Sequence, residues 1–163
     1  MIAELLLAVI TCGSERRHVK DLTDAAAANV NLVPIDVVVG ALTNLPPHCS
    51  HSNTAPRGVA EQEFKTFRVE GTVTLIRPQA DHDVHIVLRD GEDTMVVESV
   101  NPLCAPGSRV FNRLKSVRKQ LQRIRVGKKV SVIGVGFYDR FHNQIGMAPS
   151  CLELHPILSI QVK

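Results

Sequence analysis

The sequence is poor in aromatic side chains: it has no tryptophan, one tyrosine and five phenylalanines, together 4% of its 163 residues. Proteins that recognise single-stranded nucleic acid commonly stack bases on aromatic side chains. Several of these few aromatic residues are needed for the core of a domain of this size. The composition therefore argues against sequence-specific recognition of a single strand.

The four cysteines, Cys12, Cys49, Cys104 and Cys151, form no Cys-x-x-Cys pair. A zinc ribbon or a thioredoxin-type redox motif is therefore not indicated. Two disulfides would suit an exported protein and four reduced thiols a cytoplasmic one, and the spacing does not decide between them. Both localisations stay open at this point.

Long hydrophobic runs are also lacking. The apolar run Leu5–Ile10 is too short to cross a bilayer, so we predict no transmembrane segment. It follows Glu4, where a secretory signal would carry lysine or arginine. We interpret residues 1–17 as a leader-like or disordered segment, with a helix or strand that packs on the domain as the alternative.

Residues 18–60 are predicted to form an N-terminal extension and linker. Asp36 can cap a helix over residues 37–45, which Pro46 ends. Residues 48–58 are rich in Ser, Asn, Pro and Gly, which is typical of an exposed linker. The side of the helix predicted to face the domain carries Val38, Leu42 and Leu45.

Residues 61–163 carry the pattern of a small β-barrel. Apolar residues alternate with polar ones from Phe67 to Leu75, which predicts a first half-buried strand, bent or bulged at Gly71. A second alternation puts Val84, Ile86 and Leu88 on one face and His85 on the solvent face. It runs into the turn Asp90-Gly91, and residues 94–98 return as a third strand.

A helix follows, because apolar residues repeat at helical spacing from Val110 to Ile124, with Ser108 as cap and Gly127 as end. Residues 130–137 and 152–162 are predicted as the last two strands. The order β-β-β-α-β-β is that of a five-stranded OB barrel, all-β with one inserted helix. A split sheet with one covering helix is the competing architecture.

Three stretches resemble a family of uncharacterised bacterial proteins, many with features of exported proteins. They are residues 17–34, residues 83–88, and residues 134–142 together with the Glu-x-His-Pro ending at Glu153 to Pro156. The resemblance implies a barrel of the OB and staphylococcal-nuclease-like group, and it implies no activity. This chain departs from the family in its basic helix and in lacking a clear amino-terminal export signal.

Charge of one sign is missing from a long interval: no acidic residue lies between Ser99 and Tyr138. With a net charge of +3 on the whole chain, this interval is a candidate surface for nucleic acid or another polyanion. A solvated face of an amphipathic helix is the structural alternative. The basic residues of the interval are Arg109, Arg113, Lys115, Arg118, Lys119, Arg123, Arg125, Lys128 and Lys129.

Histidines and carboxylates recur at the ends of the predicted strands, which meet at one mouth of an OB barrel. Such side chains can hold a divalent metal or transfer protons. They can equally form a structural hydrogen-bond network, and no compact signature such as His-Glu-x-x-His is present. The candidate residues are Asp83, His85, Asp139, His142, Glu153 and His155.

The leading hypothesis from the sequence is a non-enzymatic OB-fold binding domain for a polyanion or a protein partner. The alternative is a metal-dependent hydrolase of phosphodiesters or esters that uses the histidine–carboxylate cluster. Nucleophilic catalysis is not indicated, because Cys104 lies between prolines without a catalytic signature. Gly134-x-Gly136 lies in a strand with no helix after it and is not a dinucleotide-binding loop.

Overall fold

The computed structural model describes residues 10–163, and the predicted leader-like segment lies outside them as far as residue 9. Within that range, three short α-helices and three 3-10 turns accompany six strands. The strands are β1 Pro34–Asp36, β2 Thr66–Pro78, β3 Val84–Asp90, β4 Asp93–Ser99, β5 Lys129–Tyr138 and β6 Leu152–Val162. The α-helices are α1 Arg17–Lys20, α2 Val39–Thr43 and α3 Phe111–Leu121, and the 3-10 turns are Ala25–Asn29, Glu61–Phe64 and Pro102–Cys104.

Strands β2 to β6 form a closed barrel. They follow the order β2-β3-β4-β6-β5, and β5 pairs again with β2. The contact between β4 and β6 is parallel, whereas the other pairs around the barrel are antiparallel. With α3 between the third and fourth barrel strands, this is the topology of an OB fold. The predicted fold class is confirmed, and the alternative split sheet is wrong.

The barrel core is lined by the inward side of each strand, including Val69, Val73, Ile86 and Leu88, all buried. The predicted alternation of β2 fails after Val73, where a bulge shifts the register. Ile76, rather than the predicted Leu75, packs against the core because one extra residue reverses the faces of the strand. The distortion was predicted at Gly71. It lies instead after Val73.

Helix α3 covers one end of the barrel with Leu114 and Val117. Gln120 Oε1 accepts a hydrogen bond of 2.9 Å from the backbone N–H of Ile160 on β6. The α-helix ends at Leu121, three residues before the last predicted apolar position, Ile124. That residue still packs in the core, since the turn that follows α3 continues on the same side.

The N-terminal extension departs from the prediction at α2. Residues 34–36 form β1, which adds to β2 as a parallel edge strand. Asp36 therefore pairs with Arg68 at 2.7 Å and does not cap a helix, and α2 begins at Val39. Val38 is 64% exposed, so it does not face the domain as predicted. Leu42 does pack in the core.

The predicted exposed linker is tied to the barrel at several points. Arg57 is only 6% exposed, and it donates hydrogen bonds to Asp24 and to the backbone carbonyl oxygens of Val19 and Glu63. An exposed linker is therefore the wrong description of this residue, because its guanidinium connects three segments of the fold.

All four cysteines are paired, which selects one of the two states that the sequence left open. Cys12 is bonded to Cys104 and Cys49 to Cys151. Cys12 precedes the N-terminal extension and Cys49 lies in it, so the two bonds link both segments to the barrel domain. Over residues 10–163, no helix combines the length and the apolar character that crossing a membrane requires.

Candidate functional site: a buried ionic network and a basic helix

His155 lies at the centre of a buried ionic network on β6. Its side chain is fully buried. Its Nε2 is 3.4 Å from Asp83 Oδ2, and its Nδ1 is 3.1 Å from Glu153 Oε1 and 3.4 Å from Glu98 Oε2. Arg17 adds a guanidinium, with Nη1 2.8 Å from Asp83 Oδ2. Three carboxylates thus surround one imidazole.

The protonation states in this network are set by burial and by the neighbours. Burial alone would raise the pKa of Asp83, but hydrogen bonds and charges from His155 and Arg17 lower that pKa to about 2. Burial would lower the pKa of His155, but bonds to Asp83 and Glu153 raise it to about 9. Burial and the charge of Asp139 raise the pKa of Glu153 to about 7. At neutral pH His155 is an imidazolium facing ionised Asp83.

His85 forms a second arm of the network. Its Nδ1 is 2.7 Å from Glu98 Oε1, and its Nε2 is 3.0 Å from the carbonyl oxygen of Ile145. The prediction that His85 lies on the solvent face is wrong, since the side chain is fully buried. The cause is the loop between β5 and β6, which folds over the outer face of β3 and brings Ile145 onto the imidazole.

The same loop carries the rim of the network. His142 Nε2 is 2.7 Å from Asp139 Oδ2, and the amide of Gln144 lies 3.3 Å from both Asp139 Oδ2 and Glu153 Oε2. The six histidines and carboxylates singled out in the sequence are therefore connected by one chain of polar contacts. Whether they bind or catalyse stays a prediction.

Glu98 was not predicted from the sequence, although a signal for it was present. The predicted turn at Asp90-Gly91 sets the register of the β3–β4 hairpin, and in that register His85 lies directly opposite Glu98. Arg17 has no comparable signal, because it reaches Asp83 from a segment 66 residues away in the sequence.

A polar cleft opens beside the network at the barrel mouth. We call it the rim cleft, and its volume is about 510 Å³. It lies between the N-terminal segment of residues 11–20, the β2–β3 loop and the β5–β6 loop. Its charged side chains are Glu15, Arg17, Lys20, Asp81, Glu98, Asp139 and Arg140, and Gln79, His142 and Gln144 are among the others.

Lys20 has an unusual position in the rim cleft. Nearby Glu153, Asp139 and Glu98 raise the pKa of its ammonium, even though burial acts in the opposite direction. Within residues 10–163, no hydrogen bond and no carboxylate within 4.0 Å satisfies its Nζ. The ammonium instead lies 5.4 Å from the ring centre of Phe137.

The nine basic candidates of the other proposed surface divide into two groups. Arg109, Arg118 and Arg125 donate to backbone carbonyl oxygens, for example Arg109 to Ala27 at 2.6 Å. Their charge is partly used in holding the fold together. The remaining six are exposed: Arg113, Lys115, Lys119, Arg123, Lys128 and Lys129.

Lys115, Lys119 and Arg123 follow one another at four-residue intervals, and we call them the basic row. The first two lie on α3 and the third in the turn that follows it. Lys119 and Arg123 also line a groove of about 790 Å³ between α3 and β6, whose other wall includes Gln161.

No family model matches this chain, and no curated protein matches it. Solved structures show only a distant likeness. The Entamoeba histolytica asparaginyl-tRNA synthetase with bound asparaginyl-adenylate aligns with a TM-score of 0.49 and 13% identity, over 81% of this chain and 24% of the synthetase. The S. pombe Stn1–Ten1 complex aligns with a TM-score of 0.42 and 14% identity, over 60% of this chain and 57% of that one. At these values the likeness says nothing about what this chain binds.

Proposed function

We propose that this OB-fold domain binds a polyanion, namely the phosphate backbone of a nucleic acid, through the basic row on α3. The observation that carries the proposal is that Lys115, Lys119 and Arg123 are exposed together. Within residues 10–163 none of the three has an ion pair, and no acidic residue lies between Ser99 and Tyr138.

Within residues 10–163 no ion pair offsets the repulsion between the cations of the basic row, although the helix dipole favours Lys119 in the last turn of α3. Lys115 and Lys119 lie four residues apart on α3, and like charges at that spacing destabilise a helix by roughly 0.2–0.5 kcal/mol. Alternating charges along a helix face are typical of an exposed helix stabilised by salt bridges, and the basic row lacks that alternation. A bound row of phosphates would remove this repulsion, because each cation would then face an anion.

The outer face of the sheet differs from the basic row, because its cations are paired with carboxylates. On the outer face of the sheet, Glu70 neutralises Lys163 at 2.7 Å and approaches Lys129 at 3.8 Å. Arg68 is paired with Asp36. The positive field therefore persists along α3 and its groove, and it is weakened across the sheet. We expect the polyanion to follow the helix.

Such binding depends on charge and carries little sequence preference. The half-buried Phe111 is the only aromatic residue of α3, so stacking of successive bases has little support there. Three phosphate contacts to a single strand would give a slope of log K against log salt concentration of about −2. Binding should accordingly weaken steeply with added salt.

The test is a fluorescence anisotropy titration with labelled single-stranded DNA, single-stranded RNA and duplex DNA of equal length, at two salt concentrations. We expect binding at low salt that weakens on salt addition. The triple variant Lys115→Gln, Lys119→Gln, Arg123→Gln should lose most of the affinity and flatten the salt slope by about 2.

The matched control removes the same net charge elsewhere, by Lys65→Gln, Arg77→Gln and Arg89→Gln. These three cations lie outside α3 and its groove. The control should retain most of the affinity. The proposal is wrong if no nucleic acid binds at low salt, or if the two triple variants lose affinity equally.

A metal-dependent hydrolase is the second candidate function, which we propose on one specific observation. One ligand atom from each of Asp83, Glu98 and His155 can be chosen so that all three lie within 4.8 Å of one another. Two carboxylates and an imidazole suit a divalent transition metal, which would supply an activated water for hydrolysis. Against a metal, Arg17 already occupies one side of Asp83, so it would have to move aside.

Elemental analysis of protein purified without added metal tests this candidate, together with titration of the metal-stripped protein with Zn²⁺ and Mn²⁺. Binding of one equivalent that His155→Gln abolishes and His51→Gln retains would support it. His51 is an exposed histidine outside the network. Absence of bound metal in both experiments would remove the hydrolase from consideration.

A further inference from the structure

The groove between α3 and β6 has two walls of different chemistry. On the α3 side it is lined by the cations Lys119 and Arg123, and both are exposed. On the β6 side it is lined by Ile160, Gln161 and Val162, which carry no charge. Among residues 10–163, no acidic residue lines either wall. The groove therefore attracts an anionic group to one edge and offers a neutral surface at the other.

The groove is also lined by side chains with free hydrogen-bonding groups. Ser116, Gln122 and Gln161 are exposed there, and their side chains make no hydrogen bond to the part of the chain that the structure describes. A side-chain amide both donates and accepts hydrogen bonds, so it can match the donors or the acceptors on the edge of any nucleobase. These groups are open to a ligand that enters the groove.

Gln120 adds a donor whose position is fixed by the fold. The backbone N–H of Ile160 donates to its Oε1 at 2.9 Å, so the amide group is held in one orientation. Gln120 is half-buried and lines the groove, and its Nε2 has no acceptor within residues 10–163. A donor held in this way loses little conformational entropy when it binds an acceptor, such as the carbonyl oxygen of a base.

The size of the groove favours a single strand over a duplex. Its volume of about 790 Å³ is in the range of small-molecule sites, so it admits an unpaired base with its sugar and excludes a duplex. Val162 is 45% exposed and provides an apolar contact for the face of a base. In a single strand the Watson–Crick edges are free to bond with side chains, whereas in a duplex they bond with each other.

We propose that the groove between α3 and β6 holds the bases of a single-stranded nucleic acid whose phosphates bind the basic row. This inference rests on the proposed polyanion binding and adds a second set of contacts to it. The phosphates lie at the α3 edge, where the cations are, and the base edges meet the amides of Gln122 and Gln161. Because an amide can match every base, these contacts add affinity with little sequence preference.

The test is a fluorescence anisotropy titration of the full-length protein with two single strands of equal length and equal phosphate number. One carries bases in mixed sequence, and the other is built entirely of abasic sites. We expect the strand with bases to bind more tightly by about fivefold or more. The ratio of the two affinities should persist when salt is added, because contacts to bases release no counterions.

Gln122→Ala with Gln161→Ala is the informative double variant, because neither side chain bonds to the described fold. It should bind the strand with bases about fivefold more weakly and bind the abasic strand as the parent does, with the same salt slope.

The matched control, Asn29→Ala with Asn53→Ala, removes two exposed amides outside the groove and should change neither affinity. If the two strands bind equally, or if the two double variants behave alike, the bases do not enter the groove, although polyanion binding stands. If neither strand binds at low salt, both proposals are wrong.

Discussion

Arg16 and Glu63 form a buried two-bond ion pair that fastens the N-terminal segment to the barrel. Nη1 is 2.8 Å from Oε1 and Nη2 is 2.9 Å from Oε2, and both side chains are essentially inaccessible to solvent. Glu63 also accepts hydrogen bonds from the backbone N–H groups of Gly58 and Tyr138. One carboxylate therefore connects the linker, the start of the barrel and the end of β5.

We expect Glu63→Gln to destabilise the protein by about 3–5 kcal/mol, because it leaves the Arg16 guanidinium buried without its counter-charge. Urea unfolding followed by circular dichroism measures the change. Glu61→Gln is the matched control, since Glu61 pairs with Lys65 at 2.8 Å on the surface. It should cost about 0–1 kcal/mol. Equal losses in the two variants would contradict a special role for the buried pair.

Stability should fall as the pH rises from about 5 to 9, and the network accounts for the sign. His155 has a folded pKa of about 9, above the usual histidine value of 6.5, so its contribution is complete below pH 6.5 and is lost as the pH rises through 9. Glu153, raised from 4.5 to about 7, acts in the same direction over a lower range. The ionisation of Glu153 and the deprotonation of His155 together lower stability by an amount on the order of 3 kcal/mol across this range. Asp83, with a pKa of about 2, contributes above pH 3.8 and loses that contribution only in strong acid.

Denaturant unfolding in EDTA at pH 5, 7 and 9 checks this dependence. Glu153→Gln removes the buried carboxyl group whose ionisation costs stability as the pH rises through 7, so its loss of stability between pH 5 and 9 should be smaller than that of the parent. His51→Gln should reproduce the parent curve, because His51 lies outside the network. A flat profile for the parent would show that the buried groups titrate as they do in the unfolded chain.

The disulfides predict a specific chemical behaviour. Denatured, unreduced protein should take up no iodoacetamide, and reduction should expose four thiols by mass spectrometry, because no cysteine is free. Loss of either bond should cost about 2–5 kcal/mol, since each closes a long loop of the unfolded chain. Of the two double variants, only Cys49→Ser with Cys151→Ser should also speed hydrogen exchange over residues 139–151. These residues form the loop between β5 and β6, and Cys151 is the last of them. Alkylation without reductant would contradict the pairing.

Much of the fold was predictable because alternation and helical spacing are local signals. The strands around Val69 and Ile86 and the helix around Leu114 follow directly from them. The bulge after Val73 was not predictable, because a register shift depends on how β2 must bend to pair with both β3 and β5. The short edge strand at Ile35 depends equally on its partner.

Six members of the site were predicted from the sequence, whereas Glu98, Arg17 and the burial of the network were not. OB topology brings the loops that carry Asp83 and Asp139 to one mouth, and the spacing of Glu153 and His155 places both on one face of β6. Nothing in the local pattern of β3 indicates that a later loop covers His85. Burial of a polar residue by a distant loop is a tertiary effect, so period-two reasoning fails there.

Gly134 and Gly136 provide the last prediction, and they explain why a Gly-x-Gly pair occurs in a barrel strand. A Cβ at Gly136 would collide with the carbonyl oxygen of Gln62, and one at Gly134 would lie 2.8 Å from Leu154 Cβ. Glycine is thus required where β5 closely approaches the turn before β2 and strand β6. We expect Gly136→Ala to destabilise the protein by about 2 kcal/mol or more, because the barrel must open locally to admit a methyl group.

Gly107→Ala is the matched control for this prediction, since no atom lies within 4 Å of the added Cβ and its backbone φ is not positive. It should leave stability unchanged or raise it by up to about 1 kcal/mol, because alanine restricts the unfolded chain more than glycine does. Urea unfolding of both variants decides the matter. If Gly136→Ala were as stable as Gly107→Ala, the close approach at β5 would be disproved, and with it the tight closure that holds the network and the rim cleft at one mouth.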